Sequence, residues 1–181
     1  SLPDCLFQSR PALHLSTVPV CRIRVSKMSS LEVHKAYKVQ LYPNAMQQEL
    51  LRKQIGCNRF VYNGLLAKCR EKHKKGELIP SPYGLVKSLP KAKEKFPWLA
   101  EVDSDALQKA ALDLGTAYTN FFKSLTGKRR GPKLSAPTFK KRGSGGSFRI
   151  ENKNRCSLKN NTLTVGKHKS IRFRGTAPPK R

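Results

Sequence analysis

The chain has 181 residues, with 37 Lys and Arg against 11 Asp and Glu, a formal net charge of +26. A surplus this large repels itself unless a polyanion lies close, so nucleic acid is the first partner implied and an anionic membrane surface the second. No apolar run approaches the roughly 20 residues of a spanning helix. The five cysteines (5, 21, 57, 69 and 156) include no CxxC pair, and the four histidines (14, 34, 73 and 168) are scattered, which argues against a disulfide framework or a zinc site.

Residues 1–34 are expected to form an N-terminal extension of low order. Pro11 to Val20 is mildly apolar but lacks the basic lead and small-residue cleavage site of a signal peptide. Met28 reads as an ordinary start, which leaves residues 1–27 as upstream sequence or tail. A strand is predicted from Lys35 to Tyr42, where Tyr37, Val39 and Leu41 alternate with Ala36, Lys38, Gln40 and Tyr42. Pro43 stops the ladder because it has no N–H. Asn44 is placed to cap a helix, with Gln47 as the reciprocal partner of a capping box. Met46, Leu50, Leu51 and Ile55 make that helix's apolar face. Gly56 is expected to break it before a second helix, whose stripe is Phe60, Val61, Leu65 and Cys69. Cys57 and Cys69 read as small core thiols.

Residues 71–84 form a basic, turn-rich connector. A short helix from Tyr83 to Ser88 should end at Pro90, and Phe96 to Leu99 should anchor a core. Asp103 or Ser104 then caps what is expected to be the longest helix, reaching Leu125. Its buried face is Ala106, Leu107, Ala110, Leu114, Ala117, Phe121 and Leu125. From Thr126 to Gly146 the chain turns rich in Gly, Pro, Lys and Arg and reads as extended and phosphate-facing, with a solvated disordered run as the plainer alternative. Short strands follow at Ser147–Ile150, Leu163–Val165 and Ile171–Arg174, with a turn at Asn160-Asn161. Strands flanking a helical block imply an α+β fold: a small split β-barrel interrupted by a helical insert. The expected bounds are 35–43 with 132–175 for the barrel, 44–131 for the insert and 176–181 for a tail.

Lys and Arg that neutralise phosphates release counterions, so they are the usable chemistry here. The expected backbone contacts are Lys128, Arg129, Arg130, Lys133, Lys140, Lys141 and Arg142, with Arg59, Arg70 and Lys72 as a second, helical set. The eleven acids are dispersed, and Asp103 and Asp105 suit a helix first turn. The helices on either side of Gly56 also fit a free-standing helix-turn-helix DNA binder, with Cys57-Asn58-Arg59 opening the second. The unmatched first residues fit a third reading, a non-functional gene product.

Several segments, in order, resemble the TnpB (OrfB) family of transposon-encoded, transposase-like proteins related to type V CRISPR effectors. They are KAYKVQLYPNAMQQELLRKQIGCNRFVYN from Lys35, WLAEVDSDALQKAALDLGTAYTNFF from Trp98, GPKLSAPTFKKR from Gly131 and SFRIEN from Ser147. The resemblance implies a wedge-type barrel split by a helical recognition domain. It also implies an RNA-guided DNA endonuclease whose partners are a structured guide RNA and double-stranded DNA, at the nucleoid in the cytoplasm. By matched position, Tyr83, Ser104 and Gln108 would contact bases of a short flanking duplex motif. The family's metal-holding RuvC-like nuclease and four-cysteine zinc element lie beyond the matched segments. The expectation is therefore a binding portion with no catalytic residue, metal or cofactor of its own.

Overall fold

In Val39-Gln40-Leu41-Tyr42 and Ile171-Arg172-Phe173-Arg174, a period of two sorts side chains to opposite faces of a sheet. Val39, Leu41, Ile171 and Phe173 are buried, whereas Tyr42, Arg172 and Arg174 are exposed. The computed structural model describes residues 4–9, 20–27, 33–143, 145–152, 155–159 and 161–174. Its strands are β1 (Asp4–Ser9), β2 (Val20–Lys27), β3 (Val33–Tyr42), β4 (Gly146–Ile150), β5 (Cys156–Lys159), β6 (Thr162–Val165) and β7 (His168–Arg174). They pair antiparallel in the order β4-β1-β2-β3-β7-β6-β5.

The expected pairing of the strand at Tyr42 with the C-terminal strands is present: Gln40, Leu41 and Tyr42 face Arg174, Phe173 and Arg172. Two expectations are corrected. The ladder is open among the described residues, with β4 and β5 at its ends, so the α+β class holds but closure into a barrel does not. The stretch expected to lack order contains β1 and β2, and β3 starts at Val33. The signal was in the sequence: Cys21, Ile23 and Val25 alternate with Arg22, Arg24 and Ser26, and β2 pairs with β3 from Val20↔Gln40 to Lys27↔Val33. Arg22 and Arg24 in the alternate places hid a strand pattern. Between β5 and β6, Asn161 takes φ +57, a conformation asparagine tolerates better than most residues; Asn160, the other residue of the expected turn, lies outside the described residues.

Helix α1 (Ala45–Lys74) opens with the expected capping box. The Gln47 N–H donates to Asn44 Oδ1 at 2.8 Å, and the Asn44 N–H donates to Gln47 Oε1 at 3.0 Å. Gln47 Nε2 also donates to the Ser170 carbonyl at 3.0 Å, tying the helix start to β7. The expected break at Gly56 is absent, and α1 runs 30 residues without interruption. A glycine inside a helix costs about 1 kcal/mol relative to alanine, which weakens a helix without stopping it. The longest helix is therefore α1. Leu51 is buried as expected, but Met46 and Leu50 are exposed.

Helix α2 (Pro82–Lys87) is followed by α3 (Leu89–Lys95), a 3-10 turn at Pro97–Ala100, and α4 (Ser104–Leu125). Pro90 lies in the first turn of α3, where its missing N–H leaves no bond unmade, so it begins a helix instead of ending one. Asp103 caps α4, its Oδ1 accepting from the Asp105 N–H at 2.9 Å. The chain divides into two compact units, residues 1–56 with 142–181 and residues 57–141, the division falling within α1. In the first, Phe148, Ile150, Cys156, Leu163 and Val165 join β3 and β7 in the buried set. In the second, Val61, Leu66 and Cys69 of α1 pack with Leu85, Leu89, Leu99 and with Leu107, Ala111 and Leu114 of α4. Asn58, itself buried, donates to the Ala106 carbonyl at 3.1 Å. Gly115 admits α2, since a Cβ there would lie 2.6 Å from Pro82 Cα.

Candidate nucleic-acid interface

By composition, residues 126–141 are a uniform basic run. Their backbone takes no helix or strand, yet it is held in place. The Leu134 N–H donates to Ser124 Oγ at 3.0 Å. Pro137 is buried, and its carbonyl accepts from Arg70 Nη2 at 2.7 Å. The same guanidinium sits 4.6 Å from the centre of the Phe139 ring. Asn63 grips Lys140 twice: its Oδ1 accepts from the Lys140 N–H at 2.9 Å, and its Nδ2 donates to the Lys140 carbonyl at 3.0 Å. One side chain thus satisfies both backbone groups, as a neighbouring strand would. Lys140 Nζ lies 4.2 Å from the centre of the Tyr62 ring, and burial pushes this ammonium below the ordinary lysine value.

The expected phosphate contacts therefore separate by role. Arg70 and Lys140 hold the strap to α1. Arg129 is half-buried and donates to the Pro132 carbonyl at 3.2 Å, and Lys72 is ion-paired with Glu77 at 2.5 Å. Arg59 is half-buried on α1. Lys128, Arg130 and Lys133 are exposed on the strap, as is Lys141. Arg142 is exposed and belongs to the other unit.

Of the expected base contacts, Ser104 and Gln108 share a face of α4 one turn apart. Ser104 Oγ accepts from Lys93 Nζ at 2.8 Å, so α3 brings a cation to that face which sequence order did not suggest. Tyr83 is exposed but stands elsewhere. Its neighbour Pro82 packs at Gly115, about 10 Å of helical rise beyond Gln108. The outward face of the sheet holds a further basic group missed from sequence: Lys38, Arg172 and Arg174 are exposed there, and the Arg174 guanidinium lies 5.5 Å from the centre of the Tyr42 ring. The alternation in IRFR was the available signal. Among the described residues, no three His, Cys, Asp or Glu side chains gather where a metal could bind, and no helix is long and apolar enough to cross a membrane.

A strongly basic α+β chain with an ordered cationic strap and a second basic sheet face has the charge distribution that suits a polyanion such as nucleic acid. Residues 28–77 match a family model described as "Helix-turn-helix domain" of the OrfB group; in this chain they include β3 and the unbroken α1. The chain is 32% identical over 145 residues to "Putative RNA-guided DNA endonuclease InsQ" of Escherichia coli (strain K12), covering 78% of this chain and 34% of that protein. It is 34% identical over 119 residues to "Virulence protein VsdF" of Salmonella dublin, covering 60% of this chain and 93% of that protein. A "Putative RNA-guided DNA endonuclease" of Streptomyces pristinaespiralis is 34% identical over 95 residues, covering 50% of this chain and 23% of the relative. The chain belongs to the TnpB/OrfB family. It spans about a third of the length of its InsQ relative.

Proposed function

We propose that this chain binds a structured guide RNA and the duplex DNA beside that guide's target. The observation that carries the reading is the strap. Arg70, Asn63 and Tyr62 hold its backbone and one lysine, while Lys128, Arg130 and Lys133 are presented to solvent in a fixed order. Phosphates gripped by a pre-ordered strip cost less ordering entropy than phosphates gripped by a mobile tail. The names of two relatives, which specify RNA guidance, support the choice of partners. In an RNA-guided system base pairing reads most of the target, and the protein reads shape and a short flanking motif. Gln108 supplies a side chain suited to adenine, and Lys93 beside Ser104 one suited to guanine. Tyr83 would make a separate contact.

In this reading the described residues bind and do not cut. Four of their acids serve other ends: Asp103 caps α4, and Glu71, Glu77 and Glu151 sit in ion pairs. The test is binding to a structured RNA from the same locus against an unrelated RNA of equal length, between about 50 and 200 mM salt. The locus RNA should bind more tightly throughout, with affinity falling steeply as salt rises. Equal affinity for both RNAs at the higher salt would refute guide binding.

A further inference from the structure

We propose that Phe60, Phe96 and Trp98 form a ledge on which an unpaired base of RNA stacks, a site that rests on the nucleic-acid reading but uses none of its residues. The three rings belong to one cluster. Phe60 meets Phe96 edge-on at 5.0 Å between centres and Trp98 at 4.8 Å. Phe96 leans on the helical core, whereas Phe60 and Trp98 remain 41% and 37% exposed. Large rings left at the surface in contact with one another offer stacking area that the described residues do not cover.

The helix beside this ledge is shaped for a close approach. Gly64 follows Phe60 by one turn of α1, where glycine is less favourable than alanine. Nothing lies within 4 Å of the position its Cβ would take, so no packing among the described residues calls for glycine there. It leaves a low step on which a ribose and its phosphate can rest. Two cations belong to the same elements: Lys68 is exposed one turn beyond Gly64, and Lys95 Nζ lies 5.7 Å from the centre of the Phe96 ring. Aromatic faces accompanied by lysines suit an anionic strand with a free base more than an apolar protein segment, which would leave those charges unanswered. Single-stranded loops and bulges of RNA supply such bases, whereas paired bases keep their faces stacked within the duplex.

Trp98 is the chain's single tryptophan, so its fluorescence reports this ledge alone. The 181-residue chain is titrated with a single-stranded RNA of about ten nucleotides, and then with the same RNA annealed to its complement. The single strand should quench Trp98 and the duplex should not. Phe60→Ala should weaken single-strand binding about 5- to 150-fold and leave duplex binding within about twofold. Gly64→Ala favours the helix, so it should weaken single-strand binding without lowering the melting temperature. Duplex binding with an unquenched Trp98 under saturating single strand, equal quenching by both forms, or wild-type single-strand affinity in both variants overturns the ledge and leaves the proposed function standing. Tighter binding of single-stranded DNA than of RNA overturns the RNA assignment. Failure to bind either form overturns both readings.

Discussion

Arg70 and Lys133 carry the same charge and face different neighbours. Arg70 serves the buried carbonyl of Pro137 and the Phe139 ring. Arg70→Met should therefore destabilise the fold by about 1–3 kcal/mol, read by denaturant unfolding. Lys133 is exposed, so Lys133→Ala should leave stability unchanged. It should instead lower the slope of log affinity against log salt by about 0.7–0.9 if it meets a phosphate. A Lys133→Ala protein with an unchanged slope would remove that residue from the interface. Titration gives a second test at this scale. Burial raises the Cys69 thiol and the Tyr62 and Tyr118 phenols above their ordinary 9.0 and 10.0. The native state then keeps protons that the unfolded chain has released. The stability they contribute is flat below about pH 9 and falls as the pH rises through the ordinary values. Lys140 acts oppositely: its ordinary value of 10.5 is lowered by burial, so its contribution rises with pH below 10.5. Tyr62→Phe should shrink the loss of melting temperature between about pH 8 and 10.5, and a loss as large as in the parent would refute the assignment.

At the scale of elements, glycines separate what a local reading supports from what packing imposes. Gly56 suggested a break because glycine is a weak helix former, yet α1 passes through it with open space where a Cβ would sit. Gly56→Ala should stabilise the protein by about 0.5–1 kcal/mol, as at any helix-interior site. A destabilising Gly56→Ala would restore the expected turn between two helices. Gly115→Ala should do the reverse and cost about 1–3 kcal/mol, because its Cβ would press on the Pro82 backbone. The capping box at Asn44 and Gln47 was legible because its partners lie three residues apart. The strap's attachments were not, because Asn63 and Lys140 are 77 residues apart and Arg70 and Pro137 are 67 apart. The pairing of Lys93 with Ser104 was missed for the same reason: nothing local to either residue announces the other.

For the whole molecule, a net charge of +26 acts on every equilibrium. Like charges raise the free energy of any compact state, and salt or a bound polyanion relieves this. The melting temperature should rise as salt increases from about 10 to 150 mM without nucleic acid. At low salt it should rise further with added RNA, since a ligand that binds the folded chain shifts the equilibrium toward it. A melting temperature indifferent to RNA would contradict the proposed function at this scale.

The sequence by itself determined what depends on composition and short-range pattern: the surplus of positive charge, the α+β class, the capped helix after Pro43, the strands β4, β6 and β7 but not β5, and the core thiols Cys57 and Cys69. Tertiary structure alone decided which cations hold the fold and which face solvent, that the ladder is open among the described residues, and that Phe60, Phe96 and Trp98 meet. The physical reason is range. Propensity, capping and alternation act within a few residues, whereas an ammonium group is drawn to a ring or a carbonyl to a guanidinium only after distant segments have been packed against one another.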